Sequence, residues 1–229
     1  MKKLAISLLL ITTVLTNGFA QSEDEQKFHF GLKASPSFSW LRVEAKDVKN
    51  DGLMVGFTYG LMTEFNITKN YAFLTGVDVS YRGGKYEQIV SNLIDEGGVA
   101  VVRSATLNRK QNFQFIEIPL ALKLKTNEIG YMKYYGMFGF SPGMIVKASE
   151  KIESSNQAVQ PDRGSRSNQS DFLAFNISLN VGLGIEYSLG GSTAFTGGIH
   201  YTNGLVDIWD LDKSQMRSDG ITINLGILF

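Results

Sequence analysis

Cysteine is absent from the 229 residues, which excludes a lipid-anchored lipoprotein, a disulfide framework and a thiolate metal site. Histidine is nearly absent as well, with His29 and His200 the whole supply of imidazole. Charge of one sign is also missing, because 22 Lys and Arg balance 22 Asp and Glu. That neutrality gives no electrostatic ground for binding nucleic acid or another polyanion. No glycine-rich stretch opens a helix, so the usual phosphate cradle is lacking and no nucleotide or other cofactor is expected.

Long hydrophobic runs are scarce. The one candidate is Leu4–Leu15, preceded by Met1-Lys2-Lys3 and followed by Thr16-Asn17-Gly18-Phe19-Ala20. It is shorter than the roughly 20 apolar residues that a spanning helix needs. With a basic start and small residues at Gly18 and Ala20, it reads as a secretory signal peptide cut after Ala20. The expected organisation is a signal peptide over 1–20, a short segment over 21–27 and one domain over 28–229. A barrel of roughly 200 to 250 residues routinely forms a single unit.

What the chain does have is period two, the spacing that sends alternate side chains to opposite faces of a strand. Leu173, Phe175, Ile177, Leu179, Val181, Leu183, Ile185 and Tyr187 share one parity, while Ala174, Asn176, Ser178, Asn180, Gly182, Gly184 and Glu186 share the other. The pattern recurs at Leu53–Phe65, Tyr71–Tyr81 and Ile221–Phe229. The large apolar face outlasts the typical soluble strand of five or six residues. A soluble ligand-binding barrel would put that face inside, and here the opposite face is too small and polar to line an apolar cavity. The greasy face therefore points outward, to lipid.

This reading gives strands near 28–41, 53–66, 71–87, 111–125, 131–149, 171–188, 193–207 and 217–229. The connections alternate between short (67–70, 126–130, 189–192) and long (42–52, 88–110, 150–170, 208–216). The predicted fold is an all-β, eight-stranded antiparallel up-and-down transmembrane β-barrel with short periplasmic turns and longer extracellular loops. Aromatic residues should form two girdles at the headgroups. Phe28, Phe65, Tyr71, Tyr131, Tyr187, Phe195 and Phe229 fall near the short turns, and Trp40, Tyr81, Tyr86, Phe113, Phe172 and Trp209 near the long loops. Phe113 and Phe115 differ in parity from Ile116, Ile118, Leu120, Leu122 and Leu124, which predicts a bulge near Phe115 and Ile116. Pro36, Pro119 and Pro142 should each mark a bulge, a strand end or a local rearrangement, since proline cannot donate to the ladder.

The residues Ala20-Gln21, the opening Phe30-Gly31-Leu32-Lys33-Ala34, the stretch Phe115-Ile116-Glu117-Ile118-Pro119-Leu120 and the terminal Phe229 together resemble PorT-type outer-membrane β-barrel proteins of Bacteroidetes. The resemblance spans essentially the whole mature chain and implies localisation in the outer membrane. Its motifs describe barrel construction rather than chemistry, and Phe229 resembles the C-terminal signal read by barrel-insertion machinery. The family's namesake is an accessory of the type nine secretion system, but a shared fold does not transfer that role.

Lys33, Glu64, Asp78, Arg82, Glu117, Lys123, Lys125 and Glu186 have inward parity. Eight strands enclose a lumen just wide enough to be filled by side chains, so these charges should pair and block a water channel rather than form an ion path. His29 and His200 lack the nucleophile and orienting acid that hydrolysis would require. Asp207, Asp210, Asp212 and Asp219 miss the spacing of a calcium loop, so no metal is expected. The stretch 150–170, with the sequon Asn168-Gln169-Ser170, reads as exposed surface. The sequence thus points to a non-enzymatic outer-membrane barrel, either an interaction or accessory subunit of a secretion or assembly complex or an envelope structural protein. Its expected partners are outer-membrane lipid and other outer-membrane proteins. An outer-membrane enzyme acting on lipid or peptide and a small-solute pore are the alternatives.

Overall fold

The computed structural model describes residues 27–44, 48–96, 99–154, 175–208 and 215–229. The signal peptide, Phe172, Leu173, Trp209, Asp210, Asp212 and the sequon lie outside the described residues. The described residues form ten strands: β1 (Phe28–Glu44), β2 (Val48–Asn50), β3 (Met54–Thr68), β4 (Tyr71–Glu96), β5 (Val99–Glu117), β6 (Leu120–Lys125), β7 (Met132–Ser154), β8 (Phe175–Gly190), β9 (Thr193–Gly204) and β10 (Gln215–Leu228). All pairings are antiparallel.

Eight of these positions form the wall. The ladder runs β4-β3-β1-β10-β9-β8-β7-β5 and returns through the β4–β5 pairing, with β6 continuing β5 between β4 and β7. The chain ends lock the ring: Phe229 N donates to Phe30 O at 2.7 Å and Phe30 N to Phe229 O at 3.3 Å. Closure leaves no edge, which is how a sheet satisfies its backbone in hydrocarbon. β2 is an accessory strand on the rim, paired with Tyr86–Gln88 of β4.

Pro119 explains why one stave is split into β5 and β6. It has no N–H to give, and the ladder skips it without slipping: Glu117 pairs with Gly143 and Leu120 with Phe140 in one register, and Ile118 N still reaches Pro142 O at 2.9 Å. Pro36 acts alike, interrupting the β1–β10 ladder between Lys33↔Gly226 and Ser37↔Thr222. Pro142 stays in its ladder opposite Ile177.

One expectation is refined and one is corrected. A bulge does lie beside Phe115, but it is not a parity change in β5. Phe113 and Phe115 simply face inward while Ile116 and Ile118 face outward. The irregularity lies across from Gln114 and Phe115, where Lys147 and Ile145 are the partners and Val146 is the extra residue on β7. The predicted loop 88–110 is a β-hairpin instead, with β4 and β5 paired from Asp78↔Glu117 to Glu96↔Val99. Crossing a bilayer takes about 9–11 residues of tilted strand, so most of the 26-residue β4 projects past the long-loop rim.

The outer wall is apolar. Val55 is 74% exposed and Leu183 68%, with Leu32, Phe73, Phe138, Ile199, Ile223 and Leu225 also on the surface. Such a band is the opposite of a soluble surface and matches a lipid-facing belt. At the short-turn rim Phe28 packs edge-on against Phe65 at 5.2 Å and Tyr131 against Tyr187 at 6.3 Å. Tyr71, Phe195 and Phe229 are exposed at the same end. At the opposite rim Trp40 stacks with Tyr201 at 6.4 Å and Tyr59 with Tyr81 at 6.3 Å. Tyr86 and Phe113 do not belong to this girdle, because both are buried inside the barrel.

Candidate functional site

The inward parity of each strand delivers small or polar side chains to the lumen, and three layers result. Nearest the short turns, Lys123 Nζ lies 2.7 Å from Glu64 Oε2 and also bonds Glu186 Oε1. Lys125 Nζ reaches Glu64 Oε1 at 2.5 Å and donates to Asn66 Oδ1 at 2.7 Å. Lys123 also sits over the Tyr135 ring, 4.4 Å from its centroid. Glu64 comes from β3, the lysines from β6 and Glu186 from β8, so the cluster crosses the barrel rather than following its wall.

The middle layer pairs Lys33 Nζ with Asp78 Oδ2 at 2.6 Å and Arg82 with Glu117 Oε1 at 2.5 Å. Around them runs an uncharged polar network. Ser35 Oγ donates to Asn224 Oδ1 at 2.7 Å, and Asn224 Nδ2 donates to His200 Nδ1 at 3.2 Å. Thr202 Oγ1 donates to Asn180 Oδ1 at 2.8 Å and Asn180 Nδ2 to Ser141 Oγ at 2.7 Å. The structure therefore places all eight charged residues named from the sequence in the lumen, four cations against four anions. Removing buried charges from water is costly unless each meets a counter-charge, and this matching meets that condition.

The third layer, toward the long-loop rim, was missed by sequence reasoning. Leu41, Val43, Tyr86, Phe113, Phe115, Ile145, Ala148, Ile208 and Met216 form one buried apolar cluster inside the barrel. Arg82 joins it to the layer below, its guanidinium carbon 4.5 Å from the Phe115 centroid. Above the membrane-crossing part of β4, Tyr86 donates to Glu150 Oε1 at 3.2 Å, and Arg109 pairs with the same oxygen at 2.8 Å. Burial, reinforced by that carboxylate, pushes the Tyr86 phenol well above its usual range, so it stays a donor. The signal that could have found this plug was the inward parity of Phe113 and Phe115 itself.

Among the described residues, two spaces inside the barrel have no lining residue in common. A cavity of about 360 Å³ lies at the short-turn rim, lined by His29, Glu64, Lys125, Glu128, Lys133 and Glu186 among others. Its inner wall is the Glu64–Lys125 pair. A space of about 70 Å³ lies between the middle charges and His200, room for about two waters.

His29 accepts from Asn66 Nδ2 at 3.3 Å through Nδ1, and His200 is held by Asn224. Neither is bonded to a serine or a carboxylate in this network. Asp207 pairs with Arg217 at 3.2 Å, and Asp219 is buried against Arg42 and the Gly204 N–H. Among the described residues no group of His, Asp and Glu could hold a metal ion.

Residues 19–210 match the family described as outer membrane protein beta-barrel domain. No curated protein matches the chain. Similar solved structures include the Neisserial surface protein NspA, at 13% identity over 87% of this chain and 97% of that one, with a TM-score of 0.45. Others are the outer membrane protein AlkL in lipid bilayers, at 15% identity over 92% and 94% with a TM-score of 0.40, and the outer membrane protease OmpT of Escherichia coli, at 10% over 93% and 99% with 0.39.

Proposed function

Because this chain belongs to the outer membrane protein beta-barrel domain family, a family built for the outer membrane, we propose that it is a non-conducting, non-enzymatic barrel that acts by contact. Its role on this reading is that of an accessory subunit of a secretion or outer-membrane assembly complex. The observation that carries the proposal is the sealed lumen. Four cations matched to four anions through five ion pairings, with an apolar plug, fill the interior, so the working surface is the exterior.

The exterior offers an unusual feature, the β4–β5 hairpin. From Tyr81 to Glu96 it extends about 50 Å of strand at the usual rise per residue, beyond the outer aromatic residues. β7 supports β5 only as far as Leu107↔Ser154, and β2 supports β4 at Tyr86–Gln88. Beyond those points the two strands are paired only with each other among the described residues. A projecting β-ribbon offers backbone edges for strand addition by a partner.

The test has two arms. Purified protein in a planar bilayer should give no conductance steps, and regular steps would instead support the pore reading. Mild-detergent capture of the tagged barrel from native membranes should bring down a stoichiometric outer-membrane partner. Recovery of the barrel alone would sink the accessory-subunit reading.

A further inference from the structure

The mouth at the short turns holds charges that the lumen pairings leave unused. Glu186 is 7% exposed and lines the cavity of about 360 Å³ there. Its Oε1 bonds Lys123, while among the described residues its Oε2 takes no hydrogen bond. The other charged groups at the inner end are engaged. Both oxygens of Glu64 are held by Lys123 and Lys125, and Lys125 also donates to Asn66. A carboxylate oxygen that opens only onto a cavity takes its donor from whatever fills that cavity.

Across the ring of strands from β8 lies β3. The turn after β3 carries Lys69, which is exposed and lines the same cavity. Lys69 forms no ion pair among the described residues, whereas Lys133, the other cation at the lip, lies 4.0 Å from Glu128. On β1, next to β3, His29 has its Nδ1 engaged by Asn66. In the neutral ring that leaves the proton on Nε2, as a donor. Ser188 and Thr193 line the cavity from β8 and β9.

We propose that this cup binds a short peptide of two or three residues with both ends free. The peptide ammonium sits against Glu186 Oε2, its carboxylate against Lys69 and His29, and its amide groups against the hydroxyls of Ser188 and Thr193. A tripeptide spans about 10 Å, and the cavity volume falls in the range of small-molecule sites. Glu186 is fixed by Lys123 before any ligand arrives, so little ordering is left for binding to impose. The Glu64–Lys125 pair closes the inner end, so the peptide is held at the mouth rather than passed through. This binding is independent of any contact made by the outer hairpin.

Equilibrium dialysis of the purified barrel in detergent against labelled tri-L-alanine should show one saturable site. Acetylating the amine or amidating the carboxylate should each weaken binding on the order of tenfold, the effect of one charge-assisted hydrogen bond lost. Lys69→Gln, a change at an exposed turn, should weaken binding of the free peptide and leave that of the amidated peptide unchanged, a selectivity that misfolding would not produce. Glu186→Gln should act in the same way on the amine end. Lys85→Gln, exposed at the opposite rim, should change neither. A tripeptide ending in two D-alanines tells the sources apart: tighter binding than the all-L form marks cell-wall peptides, and weaker binding marks protein fragments. Absence of saturable binding, equal binding of free and capped peptides, or an unaltered preference in Lys69→Gln would each overturn the proposal.

Discussion

The Lys123 ammonium lies 2.7 Å from Glu64 Oε2 across the lumen. The same nitrogen also bonds Glu186, so one side chain of β6 ties together β3 and β8, which are not neighbours in the sheet. Backbone pairing closes the wall, but these cross-lumen bonds fix how the opposite sides of the wall meet.

Replacing Lys123 by Met should therefore be costly. It leaves two carboxylates, both almost wholly buried, to share Lys125. Breaking a buried pair by removing one partner costs about 3–5 kcal/mol. Arg217→Met, which breaks a partly exposed pair with Asp207 near the rim, should cost less than about 1 kcal/mol. Urea midpoints for equilibrium folding into detergent or vesicles would compare the two. Equal midpoints would mean that the lumen cluster is solvated and carries no special weight.

Gly182 and His200 make a tighter test of packing. They face each other across the β8–β9 ladder, and a Cβ on Gly182 would fall 2.3 Å from His200 Cδ2. Gly182→Val should displace the imidazole from Asn224 and destabilise the barrel by about 1–3 kcal/mol. Adding His200→Ala should recover most of that loss, giving strongly non-additive energies in a double-mutant cycle. Additive losses would show that the glycine is needed for backbone reasons alone.

These lumen contacts were legible in the sequence only as far as lipid made them so. Where a strand crosses hydrocarbon, every second residue must be apolar, and the alternation at Phe175–Tyr187 or Ile221–Phe229 exposed both the strand and its inward face, Glu186 included. Above the membrane that demand lapses. Ile89-Val90, Leu93-Ile94 and Val101-Val102 are adjacent apolar pairs, so the hairpin looked like a loop although the ladder continues through it. Phe113 and Phe115 misled for a related reason. Inside the barrel above the bilayer, an apolar plug replaces polar filling, and its parity resembled a bulge. Which lysine meets which carboxylate was not legible at all, because those pairs cross between strands distant in sequence.

The membrane depth of each position predicts its tolerance of charge. Leu183→Arg, at an exposed mid-strand site of β8, should destabilise folding into vesicles by about 2–4 kcal/mol. Ile89→Arg, also exposed but beyond the outer girdle on β4, should fall within about 0.5 kcal/mol of wild type. Similar penalties at both sites would place Ile89 within the bilayer and contradict the projecting hairpin.

That hairpin should be separable from the barrel. Replacing 91–104 by a two-residue Asn-Gly turn would close the ribbon on the existing Val90↔Ala105 pair, a turn whose twist suits an antiparallel ladder. The lumen clusters and the ring closure at Phe30 and Phe229 lie on other residues, so the thermal midpoint of the shortened barrel should stay within a few degrees of wild type, the shift that a change of roughly 1 kcal/mol gives a domain of this size. Capture of an outer-membrane partner should be lost. If instead the midpoint falls sharply, the hairpin is part of the barrel's own fold. If partner capture survives shortening, the contact lies on the barrel wall or on another loop.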